Sequence, residues 1–473
     1  MTSIRLALLA IGSAALAVAQ TDAARPRYGG TVRIQDAGTI ATPDPAAEPA
    51  DGAQRAARAR LLPLVFETLV AIDPAGGLRP RLAVAWECDS RCAQWRFRLR
   101  RDVSLHDGSV LEPWHVAAAL RRANAAWVVE TAGDAVVIDT PDARPDLPWE
   151  LAELRYGVAV RSNTGEWIGS GPFRLHRFEP RHLSLRAHEN YWNSRPFIDA
   201  VEVDLGQAPG DQVTSLELGR ADIVSVRPTD LRRLSQRGLR TASTRPLDLV
   251  AVTFEQHRAE AADDVIRRAV AAAIDRPVLS TALLHGHAEP ATGLLPPWLS
   301  GYQLPRARRA AAPAAIASLP LARRRVTLRI DGGDPLAQAV AERIVVDARE
   351  AGVAITVQAP AGLAPRADAR LVRVTVPATS PDRALAGVMA ALGPRVVTLA
   401  TPEGALPPLA PIESVYRLER ALLERDVIVP VVHLSEVYGI ADGVESRSGA
   451  LVQPWGAWDL GNVWLARQQA GPR

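Results

Sequence analysis

The sequence predicts a mixed α/β protein built as two lobes. Helical and strand patterns alternate along most of the chain. A β-α-β unit stands out between residues 326 and 358, and a strand-rich section with short helices begins at Gly169. At roughly 100–200 residues per domain, 473 residues leave room for about two to four domains, each with a sizeable core.

The elements follow in order. Tyr28–Ile34 reads as a turn leading into a strand, and Thr42-Pro43-Asp44-Pro45 as a turn. An Ala/Arg-rich stretch from 46 to 60 enters a helix. Leu82–Trp86 and Trp95–Leu99 alternate like paired strands, with Cys88 and Cys92 in the turn between them. A helix is expected from Pro113, whose missing N–H suits a first turn, to about Ala126. Strands follow near Ala135–Ile138, Phe173–Leu175, Leu183–Arg186 and Ala200–Leu205. A helix over Asp211–Leu218 stops at Gly219. Further strands fall at Ala221–Val224 and Leu249–Phe254. In the β-α-β unit, Leu336, Val340, Ile344 and Ala348 line one face of the helix. A helix over Ser414–Glu424 leads into a mostly apolar strand, Val427–Leu434, where Pro430 predicts an edge or a bulge.

Composition narrows the chemistry. All 55 basic residues are arginine, which removes lysine Schiff bases and a phosphate-loop lysine. The net charge is +3, so no nucleic-acid partner is expected. No nucleophile elbow, phosphate loop or dinucleotide fingerprint is present, and neither catalysis nor a cofactor is expected. His285-Gly286-His287 is read as a turn with solvent-facing histidines rather than a metal site. Met1–Ala19 reads as a cleavable secretory signal: Arg5 gives the positive start, Leu6–Leu16 the apolar run and Ala17-Val18-Ala19 the cleavage site. A periplasmic location follows as an expectation. In such an oxidising compartment Cys88 and Cys92 are expected to form a small hairpin disulfide, with free thiols as the alternative.

The order of motifs resembles the family 5 extracellular solute-binding proteins, the peptide/nickel-type receptors of ABC importers. The matching segments are Gly29–Arg33, Asp44-Pro45, Phe66-Glu67-Thr68-Leu69, Leu82–Glu87, Trp95–Arg100 with His106-Asp107-Gly108-Ser109, Gly169–Phe173, Asn190-Tyr191-Trp192, Leu218–Ile223, and Arg267-Arg268-Ala269 with Ala273–Arg276. The resemblance implies a two-lobed periplasmic binding protein (type II, cluster C-like) with an extra subdomain in lobe I. Lobe I would take 26–45, 166–245 and 430–473, the subdomain 46–165, and lobe II 246–429, after a signal peptide at 1–19.

It also implies a monomeric receptor that binds an oligopeptide-like or other extended small solute between the lobes and delivers it to an ABC permease of the inner membrane. A sensor or interaction protein that no longer feeds a transporter is the second reading. Candidate ligand-binding residues are Glu48, Asp51, Trp127, Phe254, Glu255 and Gln256. Four have a structural alternative: surface acids for Glu48, Asp51 and Glu255, and core packing for Trp127. The chain departs from the family where an acidic anchor for a ligand amine is expected, near residues 370–385. The text there runs Arg370–Ser380 without an acid. Glu255 and Asp382 are possible replacements, each read first as a surface acid.

Overall fold

The structure is a computed structural model. It describes residues 25–466 apart from 74–75, 256–259, 306–312, 331–334, 359–366, 378, 402–405, 408, 448–450 and 454–455. The expected signal peptide and Gln256 lie outside the described residues.

Three sheets organise the chain. The first has seven strands in the order Phe173–Glu179, His182–Ala187, Ala200–Asp204, Thr31–Gln35, Ile223–Val226, Val437–Ile440 and Arg240–Ser243. Thr31–Gln35 runs parallel to both its neighbours, and the flanking pairs are antiparallel. The second has six strands: Ala288–Pro290, Ile428–Leu434, Asp248–Phe254, Ala369–Thr375, Arg325–Arg329 and Ala354–Gln358. The third is a four-stranded antiparallel sheet over Ala83–Cys88, Gln94–Leu99, Ala135–Asp139 and Val128–Ala132. Each has its own apolar core, centred on residues such as Ile34 and Val201, Val252 and Ile344, and Phe97 and Val116.

Among the described residues, eight helices have seven or more residues: α1 (Gly52–Leu61), α2 (Pro113–Ala123), α3 (Pro209–Glu217), α4 (Glu260–Ala273), α5 (Pro335–Glu350), α6 (Pro381–Leu392), α7 (Pro394–Ala400) and α8 (Ile412–Leu423). The local signals operate as expected. Pro113 opens α2, Gly219 follows α3 with φ 67°, and α5 connects the parallel strands Arg325–Arg329 and Ala354–Gln358. None is long and apolar enough by itself to cross a membrane.

One boundary differs from expectation, and of the two alternatives for Pro430 the structure shows the bulge. Ile428–Leu434 belongs to the six-stranded sheet, so a lobe I segment starting at 430 would cut through this strand. The chain re-enters the seven-stranded sheet at Val437. Pro430 does not make the strand an edge, because the strand has a neighbour on each side. Its missing N–H is accommodated at an irregularity opposite Val250 and Ala251.

Arginine also builds the fold directly. Arg58 of α1 is buried and donates to the carbonyls of Thr42, Asp44, Pro45 and Ala47, pinning the turn that the two prolines open. The planar guanidinium reaches four acceptors at once, which a lysine ammonium with three donors would not.

Candidate functional site

The seven- and six-stranded sheets are joined by two chain crossings that lie side by side. Residues 244–247 lead out of one sheet, and Ser435-Glu436 lead back. They are stitched by Thr244 N to Glu436 O at 3.0 Å, Leu247 N to Leu434 O at 2.9 Å, and Glu436 N to Thr244 Oγ1 at 3.0 Å. Adjacent strand crossings of this kind can bend as a hinge.

A buried charge cluster backs the hinge. Arg60 of α1 forks onto Asp36, with Nε–Oδ2 at 2.8 Å and Nη2–Oδ1 at 2.9 Å, and reaches Glu436 Oε1 at 3.2 Å. Tyr438 OH donates to Glu436 Oε2 at 2.6 Å. Burial alone would lower the Arg60 pKa. Asp36, Tyr438 and Glu436 outweigh it and hold the guanidinium charged. The cluster ties the end of the first strand, α1 and the returning crossing into one unit.

Away from the hinge, the lobes meet again through Arg383 on α6. Its Nη1 lies 2.5 Å from Asp146 Oδ2 and its Nη2 2.8 Å from Glu153 Oε1. Both acids follow the four-stranded sheet in the chain, whereas α6 packs on the six-stranded side, where Ala384, Leu385 and Val388 enter the core. Arg383 therefore ties α6 to the segment that follows the four-stranded sheet.

On α6, Ala386 and Ala390 lie three and seven residues beyond Arg383 and share its face. They help line an apolar cavity of about 280 Å³, completed by Met389, Pro394, Val397 and Leu406. α6 and α7 meet at 109° and form a V around it. Gly393, at φ 88°, makes the bend between them.

Ser380 stands at the N-cap of α6 and makes no capping hydrogen bond. Its Oγ and the Oγ1 of Thr379 are buried and have no hydrogen-bond partner among the described residues. Asp382 is not a surface acid. It is 5% exposed, and its Oδ2 accepts from Leu409 N at 2.9 Å.

The candidate residues from the sequence fall at separate places. Glu48 is exposed and lies 3.7 Å from Arg155. Asp51 caps α1 by accepting from Gln54 N at 2.7 Å. Trp127 is buried in the core of the four-stranded sheet, stacked 5.1 Å from Tyr156. Phe254 is buried in the core of the six-stranded sheet, and Glu255 N bonds to Asp368 O beside it. The structure does not bring these together around one cavity. Cys88 and Cys92 are joined across their turn with Cα atoms 4.9 Å apart. His285 is exposed and His287 half-buried, at a turn where His285 and Gly286 both have positive φ. Arg383, Thr379 and Ser380 were missed in the sequence. Ser380-Pro381-Asp382 is a helix-start signature that marks the place without revealing what faces it.

Comparison with known proteins agrees with this architecture. SapA of Salmonella typhimurium, a peptide transport periplasmic protein, is 24% identical over 282 residues, 49% of this chain and 51% of SapA. SgrR of Salmonella typhi, an HTH-type transcriptional regulator, is 29% identical over 170 residues, 31% of this chain and 29% of SgrR. The chain spans about half, or less, of the length of the curated relatives it matches. The crystal structure of the ABC transporter substrate-binding protein CtaP from Listeria monocytogenes superimposes with a TM-score of 0.77 at 16% identity, covering 93% of this chain and 100% of CtaP, which shows the two-lobed fold. The model of the bacterial extracellular solute-binding proteins, family 5, matches residues 77–383. That stretch is well over half the chain, and the protein belongs to the family 5 extracellular solute-binding proteins.

Proposed function

We propose that this protein is a periplasmic receptor of an ABC importer, binding an extended, oligopeptide-like solute in the inter-lobe cleft and passing it to an inner-membrane permease. The family is one of binding proteins, and catalysis is not part of this reading. The observation that carries it is the pairing of a two-strand hinge with a second inter-lobe contact at Arg383. A ligand between these points favours the closed state by its differential affinity for it, and that difference is what a permease can read. Likeness to SapA over half its length supports the peptide-like class.

The test is a thermal-shift screen of the mature chain against peptides, metal chelates and sugars. A ligand at one hundred times its Kd should add about 2.7 kcal/mol. No shift across the library, with no ligand carried through purification, counts against a receptor.

The second reading is a sensor that has left transport. Likeness to the regulator SgrR and the absence of an acidic anchor in residues 370–380 favour it. Genes for a permease and its ATPase beside this one would decide for the receptor.

A further inference from the structure

We infer that the two lobes turn about a single residue, Ser435 in the returning crossing, and that Trp298 keeps the outgoing crossing fastened to the six-stranded lobe while they do. The pivot belongs to the fold and is the same whichever solute a receptor of this kind binds.

The peptide groups on the two sides of Ser435 are held by different lobes. The group before it belongs to the six-stranded lobe: Leu434 O accepts from Leu247 N at 2.9 Å, and Ser435 N donates to His287 O at 3.0 Å. The group after it belongs to the seven-stranded lobe, where Glu436 N donates to Thr244 Oγ1 at 3.0 Å. Glu436 O accepts from Thr244 N at 3.0 Å, and its carboxylate is held by Arg60 and Tyr438. Only the φ and ψ of Ser435 lie between these anchored groups. A hinge is a short stretch at the end of an element that absorbs the change in φ and ψ. Here that stretch is one residue long, between the strands Ile428–Leu434 and Val437–Ile440.

The outgoing crossing is longer between its anchors. Thr244 N ends the hold of the seven-stranded lobe. On the far side Val376 N donates to Leu247 O at 2.6 Å. Trp298, from the short helix Pro297–Ser300, donates from Nε1 to Pro246 O at 2.9 Å, and the Arg245 guanidinium lies 5.3 Å from its ring centre. The ring of Pro246 fixes its own φ and confines Arg245 to extended backbone. The crossing is thus a stiff strap whose far end Trp298 holds. A link of one residue allows rotation and almost no translation, so the axis passes close to Ser435 and the strap follows.

The His285-Gly286-His287 turn takes a place in this device. The chain reverses there with φ of 51° at His285 and 79° at Gly286, and the His287 carbonyl, not an imidazole, meets the pivot.

The experiment reads the distance between the lobes in the ligand-free protein by double electron–electron resonance. Spin labels go on Arg232→Cys and Glu350→Cys, two exposed residues of opposite lobes. With Cys88 and Cys92 bonded, only the introduced cysteines take the label. Every sample also carries Arg383→Ala, so that the contact of α6 with Asp146 and Glu153 does not restrain the lobes. Folding of each variant is checked by circular dichroism. Ser435→Gly, which opens the backbone range of the pivot, should widen the distance distribution about 1.5-fold. Trp298→Phe, which keeps a ring and removes the donor to Pro246, should widen it about 1.2-fold. Ser243→Gly, inside the seven-stranded sheet, should leave the width unchanged. An unchanged width in Ser435→Gly, or an equal widening in Ser243→Gly, overturns the pivot. An unchanged width in Trp298→Phe overturns the role of Trp298. Each of these outcomes leaves the receptor reading to the thermal-shift screen.

Discussion

The carboxylate of Glu67 accepts a hydrogen bond from the phenol of Tyr191 at 2.8 Å, across 124 residues of chain. Glu67 is fully buried and also accepts from Trp192 Nε1 and Ser170 Oγ, each at 2.8 Å, and from Arg81 Nε at 3.0 Å. One side chain thus locks the segment leading into the four-stranded sheet onto the segments that start and follow the seven-stranded sheet's edge.

Removing that acceptor should be severe. Glu67→Ala leaves Arg81 without its partner and three further donors unpaired, for a loss of about 3–5 kcal/mol. Tyr191→Phe removes one hydrogen bond to a charged group and should cost about 1.5–3 kcal/mol. Urea denaturation of both variants measures this, and near-wild-type stability of Glu67→Ala would refute the locking role.

Arg383→Ala should free the lobes to separate. Glu153 is exposed but Asp146 is buried, so the variant leaves a buried carboxylate short of a partner and should lose about 1–3 kcal/mol of global stability. The larger effect should be on shape: the radius of gyration by small-angle X-ray scattering should rise in the unliganded variant. An unchanged scattering curve would show that Arg383 does not hold the lobes together.

Stability should fall in mild acid through two histidines. Burial pushes the pKa of His106 down to about 3 and that of His433 down to about 4. Both are neutral in the folded chain, while the unfolded chain takes up protons below about 6.5. Their stabilisation is complete above that pH and is lost as pH drops towards their folded values, at up to ~1.4 kcal/mol per pH unit for each. Glu419, raised by burial, works in the opposite sense above the ordinary carboxylate range. Comparing wild type with His433→Gln between pH 7 and 4 isolates one histidine. The variant should show the shallower slope.

The Cys88–Cys92 link predicts a mature mass two hydrogens below the dithiol. With only four residues of separation, the closed loop is short. Reduction should therefore remove only about 2 kcal/mol by chain entropy. Two free thiols detected by alkylation and mass spectrometry in protein isolated without reductant would reject the link.

Sequence patterns located elements better than partners. The helix stripes, the proline starts and the glycine stops place α2, α3 and α5 to within a few residues, because these signals are local. The motif series named the family but not why its pieces recur together. Arg33 of the first motif bonds through its N and side chain to Asp222, 189 residues on, and Glu67 gathers two more motifs in the same way. Such pairings depend on long-range closure that no local period encodes. The ligand candidates show the reverse error. Trp127 looked available at the end of a helix, and Tyr156 covers it from 29 positions away. Thr379 and Ser380 close the stretch that lacks an acid, and the burial of both hydroxyls without a hydrogen-bond partner among the described residues left no mark in the sequence.

The strand Val437–Ile440 sits between Ile223–Val226 and Arg240–Ser243 in the seven-stranded sheet. That order has a biosynthetic consequence. Ile223–Val226 and Arg240–Ser243 cannot take the strand between them until Ile440 has left the ribosome, so this sheet must finish folding after nearly the whole chain is synthesised. The four-stranded sheet, complete by Asp139, has no such delay, so the two sheets close at opposite ends of synthesis.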